Sequence, residues 1–342
     1  MLHDAGITVK IITGDNALVT RHICGVLDFE VTRAIEGTEV GRMDSDTLAS
    51  AVEQADIFCR VSPAQKERII RALMKNGHVV GYMGDGINDA PSIRAADIGI
   101  TVDNAVDIAK ESADIVLLKK DLRVLRDGIL EGRKTFGNTM KYIMMGTSSN
   151  FGNMISVAAA SLFLPFLPLL PVQILLNNLL YDMSQSAIPT DRVDEEYITA
   201  PKRWDIGFIK KFLLVFGPVS SLFDLITFAM LLFVFHAPAE LFRTVWFLES
   251  LCTQTIVIFA IRTKRVPFWK SAPGRYVVMA SLLIVLAGIA FAVTPIGDPF
   301  GFVPLTLPYF LLIALLVAGY IVVVEIVKKQ FYRHPEQKNG SM

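Results

Sequence analysis

The sequence predicts an α/β domain followed by a bundle of membrane-spanning helices. Short apolar strands alternate with helical segments up to about residue 120, and longer apolar stretches recur from residue 142 onward. Hydrophobic residues make up 52% of the 342 residues, which is high for a soluble protein. Stretches of about 20 apolar residues match the thickness of a bilayer core, so the second half is predicted to lie in a membrane.

The first 120 residues alternate between strand-like and helix-like segments. The predicted strands are "ITVKIIT", "ADIFCRVS", "VVGYMGDG", "IGITV" and "DIVLL". Helical spacing separates them, as in "AQKERIIRALMKNG", which Pro63 opens and Gly77 closes. This alternation predicts a parallel sheet wound with helices, whose ligands gather at the carboxyl ends of the strands. Thr13, Asp15 and Asp85 follow predicted strands and are therefore candidate site residues.

Residues 121–141 are predicted to form a stalk helix that runs into the first membrane span, with a short tail at 331–342 after the last span. The six predicted spans are 142–164, 167–188, 212–235, 241–261, 276–294 and 307–327. Stretches such as "VVMASLLIVLAGIAFAV" are apolar on every helix face, which favours spans over the buried helices of a large soluble protein.

Basic residues alternate between the connecting loops. They cluster between the second and third spans, between the fourth and fifth, and after the sixth, whereas the other three loops contain only Arg243. Because basic loops stay in the cytoplasm, both ends of the chain are predicted to be cytoplasmic. The α/β part would then lie on the side of the membrane where ATP is found.

Composition excludes several classes of function. The formal net charge is zero, so the overall balance gives no sign of a nucleic-acid partner. The three cysteines, Cys24, Cys59 and Cys252, are far apart in the sequence. They therefore predict neither a disulfide framework nor a cysteine metal site.

The candidate residues of the α/β part suit phosphate and magnesium. Asp85 lies between two glycines, where a metal ion can approach a carboxylate closely, and carboxylate oxygens are typical Mg²⁺ ligands. Asn88 and Asp89 begin the next helix, whose amino end favours anions. Lys66 could neutralise a phosphoryl oxygen, and Thr13 offers a hydroxyl. Taken alone, each residue is more often part of a simple turn, a helix cap or a solvated lysine than part of a site.

Three motifs together resemble the phosphorylation domain of P-type ATPases, a branch of the haloacid-dehalogenase-like fold. They are "TGDN" at 13–16, "SPAQKERII" at 62–70 and "GDGINDAPSIRAADIGI" at 84–100, in the family's order. The resemblance implies that ATP and Mg²⁺ are cofactors of a full-length enzyme. It implies cofactor-binding and catalytic roles for Thr13, Gly14, Asp15 and Lys66, further catalytic roles for Asn88 and Asp89, and metal binding by Asp85 and Asp89.

The family's phosphorylated aspartate lies in a "DKTGT" motif, which does not occur in these 342 residues. The actuator "TGE" loop is not found here either. We therefore expect the chain to correspond to the C-terminal part of a pump and to be inactive alone, because covalent catalysis needs an acceptor. Its expected partners are the missing N-terminal part of the pump, the lipid bilayer and the transported divalent cation.

Polar residues inside the spans are the candidates for the transported ion, because ionisable groups in lipid are rare and usually functional. These candidates are Asn150, Asn153, Asn178, Asp182 and Glu249. Asn178 and Asp182 are four residues apart and were expected to share one helix face. Hydrogen bonding between helices is the alternative role, especially for the asparagines.

The transported ion is predicted to be Mg²⁺. Asn153 stands where calcium-type pumps have a glutamate, and fewer carboxylates suit an ion that keeps part of its water shell. The segments "NNLLYDMSQSAIPTDRVD", "PKRWD" and "GPVSSLFDLITFAM" resemble bacterial magnesium-transporting P-type ATPases. Two alternatives remain open: a non-enzymatic Mg²⁺-binding membrane protein or regulator derived from a pump, and part of a calcium-type pump.

Overall fold

The computed structural model describes residues 2–333, so residues 334–342 of the predicted tail lie outside the described part. The chain divides into two compact units, Met1–Glu131 and Gly132–Met342. They are called the N-terminal unit and the C-terminal unit below, and each is described by itself.

The N-terminal unit contains six short strands arranged in two parallel sheets. The strands are β1 (Ile11–Ile12), β2 (Ala34–Glu36), β3 (Ile57–Cys59), β4 (Gly81–Met83), β5 (Ile98–Val102) and β6 (Ile115–Leu117). The sheet orders are β1-β3-β2 and β4-β5-β6, with all pairs parallel. Ile12 and Val80 each pack against the apolar clusters of both sheets, so the two sheets share a core.

Six helices connect these strands. They are α1 (Ala17–Val26), α2 (Gly37–Arg42), α3 (Ser45–Gln54), α4 (Pro63–Lys75), α5 (Ala90–Ala95) and α6 (Asp107–Ser112). The start of α4 is fixed by a capping box, in which Gln65 N donates to Ser62 Oγ and Ser62 N donates to Gln65 Oε1. Pro63 occupies the first turn, where its missing N–H costs nothing. This cap sets the position of Lys66 in the first turn.

The remaining helices are long and mostly apolar, except for the four-residue helix Glu195–Ile198. They are α7 (Leu122–Phe163), α8 (Pro171–Gln185), α9 (Glu195–Ile198), α10 (Ile206–Ala229), α11 (Ala239–Ile261), α12 (Arg275–Val293) and α13 (Leu307–Phe331). A π-helical segment, Met230–Val234, extends α10. One uninterrupted helix, α7, covers the region predicted as stalk and first span.

Four helices in the described residues are long and apolar enough to cross a membrane: Ile206–Val234, Ala239–Ile261, Arg275–Val293 and Leu307–Phe331. The predicted second span, 167–188, is helical only over Pro171–Gln185, because the proline-rich segment before Pro171 does not continue a helix. Its 15 residues give a length of about 22 Å, shorter than the ~30 Å hydrocarbon core. The count of six spans therefore stays a prediction.

The core of the C-terminal unit surrounds α11. Within the 18-residue apolar stretch of α11, 83% is buried, whereas the corresponding stretches of α12 and α13 are each 28% buried. Trp246, Phe242 and Phe247 of α11 are all nearly inaccessible. Because α12 and α13 leave apolar side chains such as Leu283 and Leu315 exposed, their outer faces suit contact with lipid.

A buried ionic cluster ties α7 to two loops of the C-terminal unit. Asp191 Oδ2 accepts hydrogen bonds from Lys141 Nζ at 2.7 Å and Arg262 Nε at 3.0 Å, and Asp191 Oδ1 accepts from Gly274 N at 2.8 Å. The Asp191 side chain is only 1% exposed, and the two cationic side chains are 7% and 2% exposed. Lys141 also donates to Arg192 O at 2.7 Å. The middle of α7 is thus held by charge to the loop that follows α8 and to the end of α11.

Candidate functional site

Thr13 follows β1 and forms a closed turn with Asp15. Thr13 N donates to Phe58 O at 2.9 Å, and Val61 N donates to Thr13 O at 3.2 Å, so the backbone stays paired alongside β3. The Thr13 hydroxyl donates to Asp15 Oδ2 at 3.0 Å and accepts from Asp15 N at 3.1 Å. Gly14 and Asp15 are exposed. The turn therefore presents polar groups to solvent at the end of a strand, as predicted for a ligand-binding edge.

Asp89 is the centre of the best-defined polar cluster in the N-terminal unit. Its Oδ1 accepts from Lys66 Nζ at 2.8 Å and from the Tyr82 hydroxyl at 2.8 Å. Its Oδ2 accepts from Gly86 N at 3.3 Å. The Lys66 and Asp89 side chains are 12% and 15% exposed, so water screens this ion pair only weakly.

Gly84 allows the turn after β4 to pass directly beside Asp89. A Cβ atom at Gly84 would lie 2.5 Å from Asp89 Cβ and 2.7 Å from Asp89 Cγ, closer than real Cβ contacts. The Gly84 carbonyl is held by Thr101 Oγ1, which donates to it at 2.7 Å. The absence of a side chain at Gly84 is therefore a steric requirement of the site.

The environment of Asp89 keeps its carboxylate ionised. Burial alone would raise the pKa of Asp89, but hydrogen bonds from Lys66 and Tyr82, the Lys66 charge and the Gly86 amide outweigh burial and lower it. Burial and the negative charge of Asp89 raise the pKa of Tyr82. Tyr82 is therefore a neutral phenol at physiological pH and acts as the donor.

Asp85 lies on the same turn but is exposed. Its Oδ2 accepts from Lys120 Nζ at 2.9 Å, and the Asp85 and Lys120 side chains are 54% and 68% exposed. An ion pair this exposed contributes little stability, so a divalent cation could displace the lysine. Asn88, also exposed, lies one residue before Asp89.

The structure brings Lys66 to Asp89 and Thr13 to Asp15. Among the described residues, no hydrogen bond or ion pair joins these two pairs, and none joins Asp85 to Asp89. No group of three or more His, Cys, Asp or Glu residues forms a metal cage in residues 2–333. Mg²⁺ usually takes only one or two carboxylates, with water and phosphate oxygens completing its shell. The carboxylates of one turn, Asp85 and Asp89, fit that chemistry.

Two contacts of this site were not predicted. In the sequence, Tyr82 falls within a predicted apolar strand and Lys120 at the end of the predicted α/β part. In the structure Tyr82 is the buried middle residue of β4 and faces opposite to its two exposed neighbours. The uniformly apolar stretch "VVGYMG" does not show this alternation. No local pattern indicates that Lys120 reaches a residue 35 positions earlier.

In the C-terminal unit, polar groups meet between α7, α8 and α11. Gln254 Nε2 donates to Asn153 Oδ1 at 3.3 Å and to Asn177 Oδ1 at 3.4 Å. Asn177 Nδ2 donates to Phe247 O at 3.3 Å. Glu249 is fully buried on α11, and among the described residues no donor reaches its two carboxylate oxygens. The buried carboxyl group of Asp224 on α10 is its neighbour. A buried carboxylate that no donor reaches calls for a cation or a proton.

Other predicted ion ligands lie elsewhere. Asn150 and Asp182 are exposed and Asn178 is half-buried, so the structure does not bring them to Glu249. Asn178 and Asp182 are one helical turn apart on α8, but the face that is buried lies one residue away from theirs. The buried stripe of α8 contains Gln173, Asn177, Tyr181 and Ser184, at helical spacing. Asp182 follows Tyr181 by one residue and so points about 100° away from that stripe.

Asp224 forms a second buried acidic position, on α10. Its Oδ1 accepts from Trp246 Nε1 at 2.8 Å, and its Oδ2 accepts from Ser156 Oγ at 2.5 Å. Its side chain and those of its two donors are almost inaccessible. Asp224 therefore connects α10 to α7 and α11. In the sequence, the only sign of this connection is an acidic residue within an apolar stretch.

Comparison with protein families finds two matches in different parts of the chain. Residues 1–97 match the haloacid dehalogenase-like hydrolase family. Residues 166–330 match the family described as cation transporting ATPase, C-terminus. The two matches occur in the order that the motifs predicted, with the hydrolase region first.

Curated relatives cover nearly the whole chain. It is 46% identical over 336 residues to the magnesium-transporting ATPase, P-type 1, of Escherichia coli K12, and equally similar to that of Salmonella typhimurium LT2. These alignments include 97% of this chain but 37% of each relative's length. The probable cation-transporting ATPase F of Mycobacterium tuberculosis H37Rv is 40% identical over 184 residues, which are 52% of this chain and 20% of that protein.

These findings agree with the motifs around Thr13, Lys66 and Asp85 and with the apolar helices, which indicate an integral membrane protein. The chain belongs to the P-type cation-transporting ATPases and corresponds to the C-terminal part of its magnesium-transporting relatives.

Proposed function

We propose that this chain is the C-terminal part of a pump that couples ATP hydrolysis to the transport of a divalent cation, Mg²⁺, across the bacterial cytoplasmic membrane. The observation that carries the proposal is the shielded Lys66–Asp89 pair beside the Asp85 turn, within the hydrolase-like region. The printed names of the relatives support magnesium as the cargo. Six spans with both chain ends in the cytoplasm would complete the arrangement, in agreement with the basic loops.

The residues of the N-terminal unit would serve a phosphoryl group and its metal ion. Asp85 and Asp89 would hold Mg²⁺, which when bound neutralises charge on phosphoryl oxygens. Thr13, Gly14 and Asp15 would contact the phosphoryl group and nucleotide from the exposed turn after β1. Lys66, oriented by Asp89, would pair with phosphoryl charge, and Asn88 would order the turn. The phosphorylated aspartate would come from the part of the pump that these 342 residues do not include.

The membrane-embedded polar groups would form the cation path. Glu249 is the strongest candidate ligand, because its carboxylate is fully buried, receives no hydrogen bond from a donor in the described residues and lies beside a second buried acid, Asp224. Asn153, which contacts Gln254, would lie near it on the neighbouring helix. The exposed side chains Asn150 and Asp182, with Asn178, would face the remaining part of a full-length pump and complete the site there.

A growth assay tests this proposal. The N-terminal part of the Escherichia coli relative is joined to this chain and expressed in a bacterium that lacks its magnesium transporters. We expect the chimera to restore growth at low Mg²⁺, and Glu249→Gln to abolish the rescue. Glu240→Gln, on the exposed first turn of the same helix, is the matched control and should rescue normally. Full rescue by Glu249→Gln would exclude Glu249 from the cation path.

A further inference from the structure

Tyr82 is a polar contact of the phosphoryl-site cluster that lies outside the motif beginning at Gly84. It is the middle residue of β4, and both of its strand neighbours are exposed while Tyr82 is 8% exposed. Its ring is therefore turned into the core of the N-terminal unit, where it packs in the same cluster as Ile93 and Ile100. Its hydroxyl nevertheless reaches a charged group, Asp89 Oδ1, at 2.8 Å.

The hydroxyl and Lys66 share one oxygen of Asp89. Both donors lie 2.8 Å from Oδ1, whereas Oδ2 accepts only the weaker hydrogen bond from Gly86 N at 3.3 Å. A carboxylate offers about four acceptor positions. Two donors on Oδ1 therefore fix the rotation of the group and leave Oδ2 with a free acceptor position on the side of the Gly84–Gly86 turn.

A tyrosine hydroxyl can hold Asp89 without changing the charge balance. Lys66 already balances the charge of the carboxylate, so a second lysine would leave a net positive charge, and an apolar residue would leave Oδ1 attached to Lys66 alone. Lys66 has a flexible four-carbon stem, so it does not define the carboxylate plane by itself. The Tyr82 ring is packed on a strand and is rigid by comparison.

We propose that Tyr82 is a positioning residue of the phosphoryl-transfer site, which fixes the Asp89 carboxylate so that Oδ1 orients Lys66 and Oδ2 remains available to a divalent cation at the Gly84–Gly86 turn. This inference rests on the proposed function, because it requires that Asp85 and Asp89 serve a metal ion. Partners that orient a metal-binding group typically change metal affinity by ~10–100-fold when they are removed.

Mn²⁺ binding to the full 342-residue chain in lipid nanodiscs, followed by electron paramagnetic resonance, tests the role of Tyr82. All variants carry Glu249→Gln, so that the buried membrane carboxylate does not contribute. Tyr82→Phe keeps the ring and removes the hydroxyl, and we expect roughly 10-fold weaker Mn²⁺ binding. Tyr142→Phe, at an exposed tyrosine, is the matched control and should bind normally.

A double-variant comparison separates positioning from packing. If Tyr82 acts through Asp89, Tyr82→Phe should not weaken Mn²⁺ binding further in a chain that already carries Asp89→Asn. If Tyr82→Phe weakens Mn²⁺ binding equally in the presence and in the absence of Asp89→Asn, Tyr82 is not a positioning residue for Asp89. Unchanged affinity in Tyr82→Phe with weakened binding in Asp85→Asn would also overturn it and leave the proposed function intact. Unchanged affinity in Asp85→Asn would contradict the metal site itself, and the role of Tyr82 with it.

Discussion

The ammonium nitrogen of Lys66 lies 2.8 Å from Asp89 Oδ1, and both side chains are largely shielded from water. The two residues are 23 positions apart, on the first turn of α4 and at the start of α5. A capping box fixes the lysine end of the pair, and the glycines around Asp85 allow the aspartate end to approach. The charge of Lys66 is therefore held at a defined position beside the exposed Asp85 turn.

The Lys66–Asp89 pair predicts a pH-dependent effect of Lys66→Met. Because the folded environment lowers the pKa of Asp89, the pair stabilises the fold above the unfolded aspartate pKa of about 3.9. That stabilisation is lost as the pH falls through the lower folded pKa. Hydrogen exchange of residues 82–90 in the full chain should be faster in Lys66→Met at pH 7, and the difference from wild type should shrink at acid pH. A constant difference at every pH would contradict this.

Alanine substitutions at Gly84 and Gly81, at the two ends of β4, test whether the site needs the space beside Asp89 that Gly84 leaves open. We expect Gly84→Ala to displace Asp89 and to weaken Mn²⁺ binding by the full chain, because the new Cβ would lie 2.5 Å from Asp89 Cβ. Gly81→Ala meets only Ile100 Cδ1 at 3.7 Å and Ile98 O at 3.9 Å, which are ordinary contacts. Equal affinities of the two variants would show that Gly84 is not required for space.

Asp191→Asn should destabilise the C-terminal unit. The substitution leaves Lys141 and Arg262 buried without their shared carboxylate, and breaking such a pair typically costs about 3–5 kcal/mol. Glu196→Gln breaks an exposed ion pair with Arg265 and should cost less than about 1 kcal/mol. Thermal unfolding of the full chain in nanodiscs measures both variants. A similar midpoint for the two would mean that the buried cluster contributes no more than a surface pair.

The motifs indicated which polar residues of the N-terminal unit to consider for a site, but not all of the contacts that these residues make. Lys66 and Asp89 were expected at one site, and the structure pairs them directly. Tyr82 and Lys120 were missed because their contacts depend on which way a strand faces and on a contact across 35 residues. Strand order is also non-local, so one sheet was expected where the structure has two sheets sharing a core.

In the C-terminal unit, the sequence indicated where the apolar helices lie along the chain, but not which side of each helix is buried. Asn178 and Asp182 are four residues apart, but the polar residue buried against α11 is Asn177. A stretch that is apolar on most faces gives no periodic signal for its orientation, so neighbouring asparagines could not be distinguished. The prolines before α8 explain why that helix is shorter than its apolar stretch.

Steady-state ATP hydrolysis by the purified chimera, with the N-terminal part of the Escherichia coli relative joined to this chain, is the most direct measurement of the proposed phosphoryl site. Asp85→Asn should lower the rate by about 100-fold, because it removes a charged group that would hold the metal ion at the transferring phosphoryl group. Asp46→Asn, at an exposed aspartate paired with Lys75, should leave the rate unchanged. Equal hydrolysis rates in Asp85→Asn and the unsubstituted chimera would contradict a phosphoryl-transfer site at the Asp85 turn.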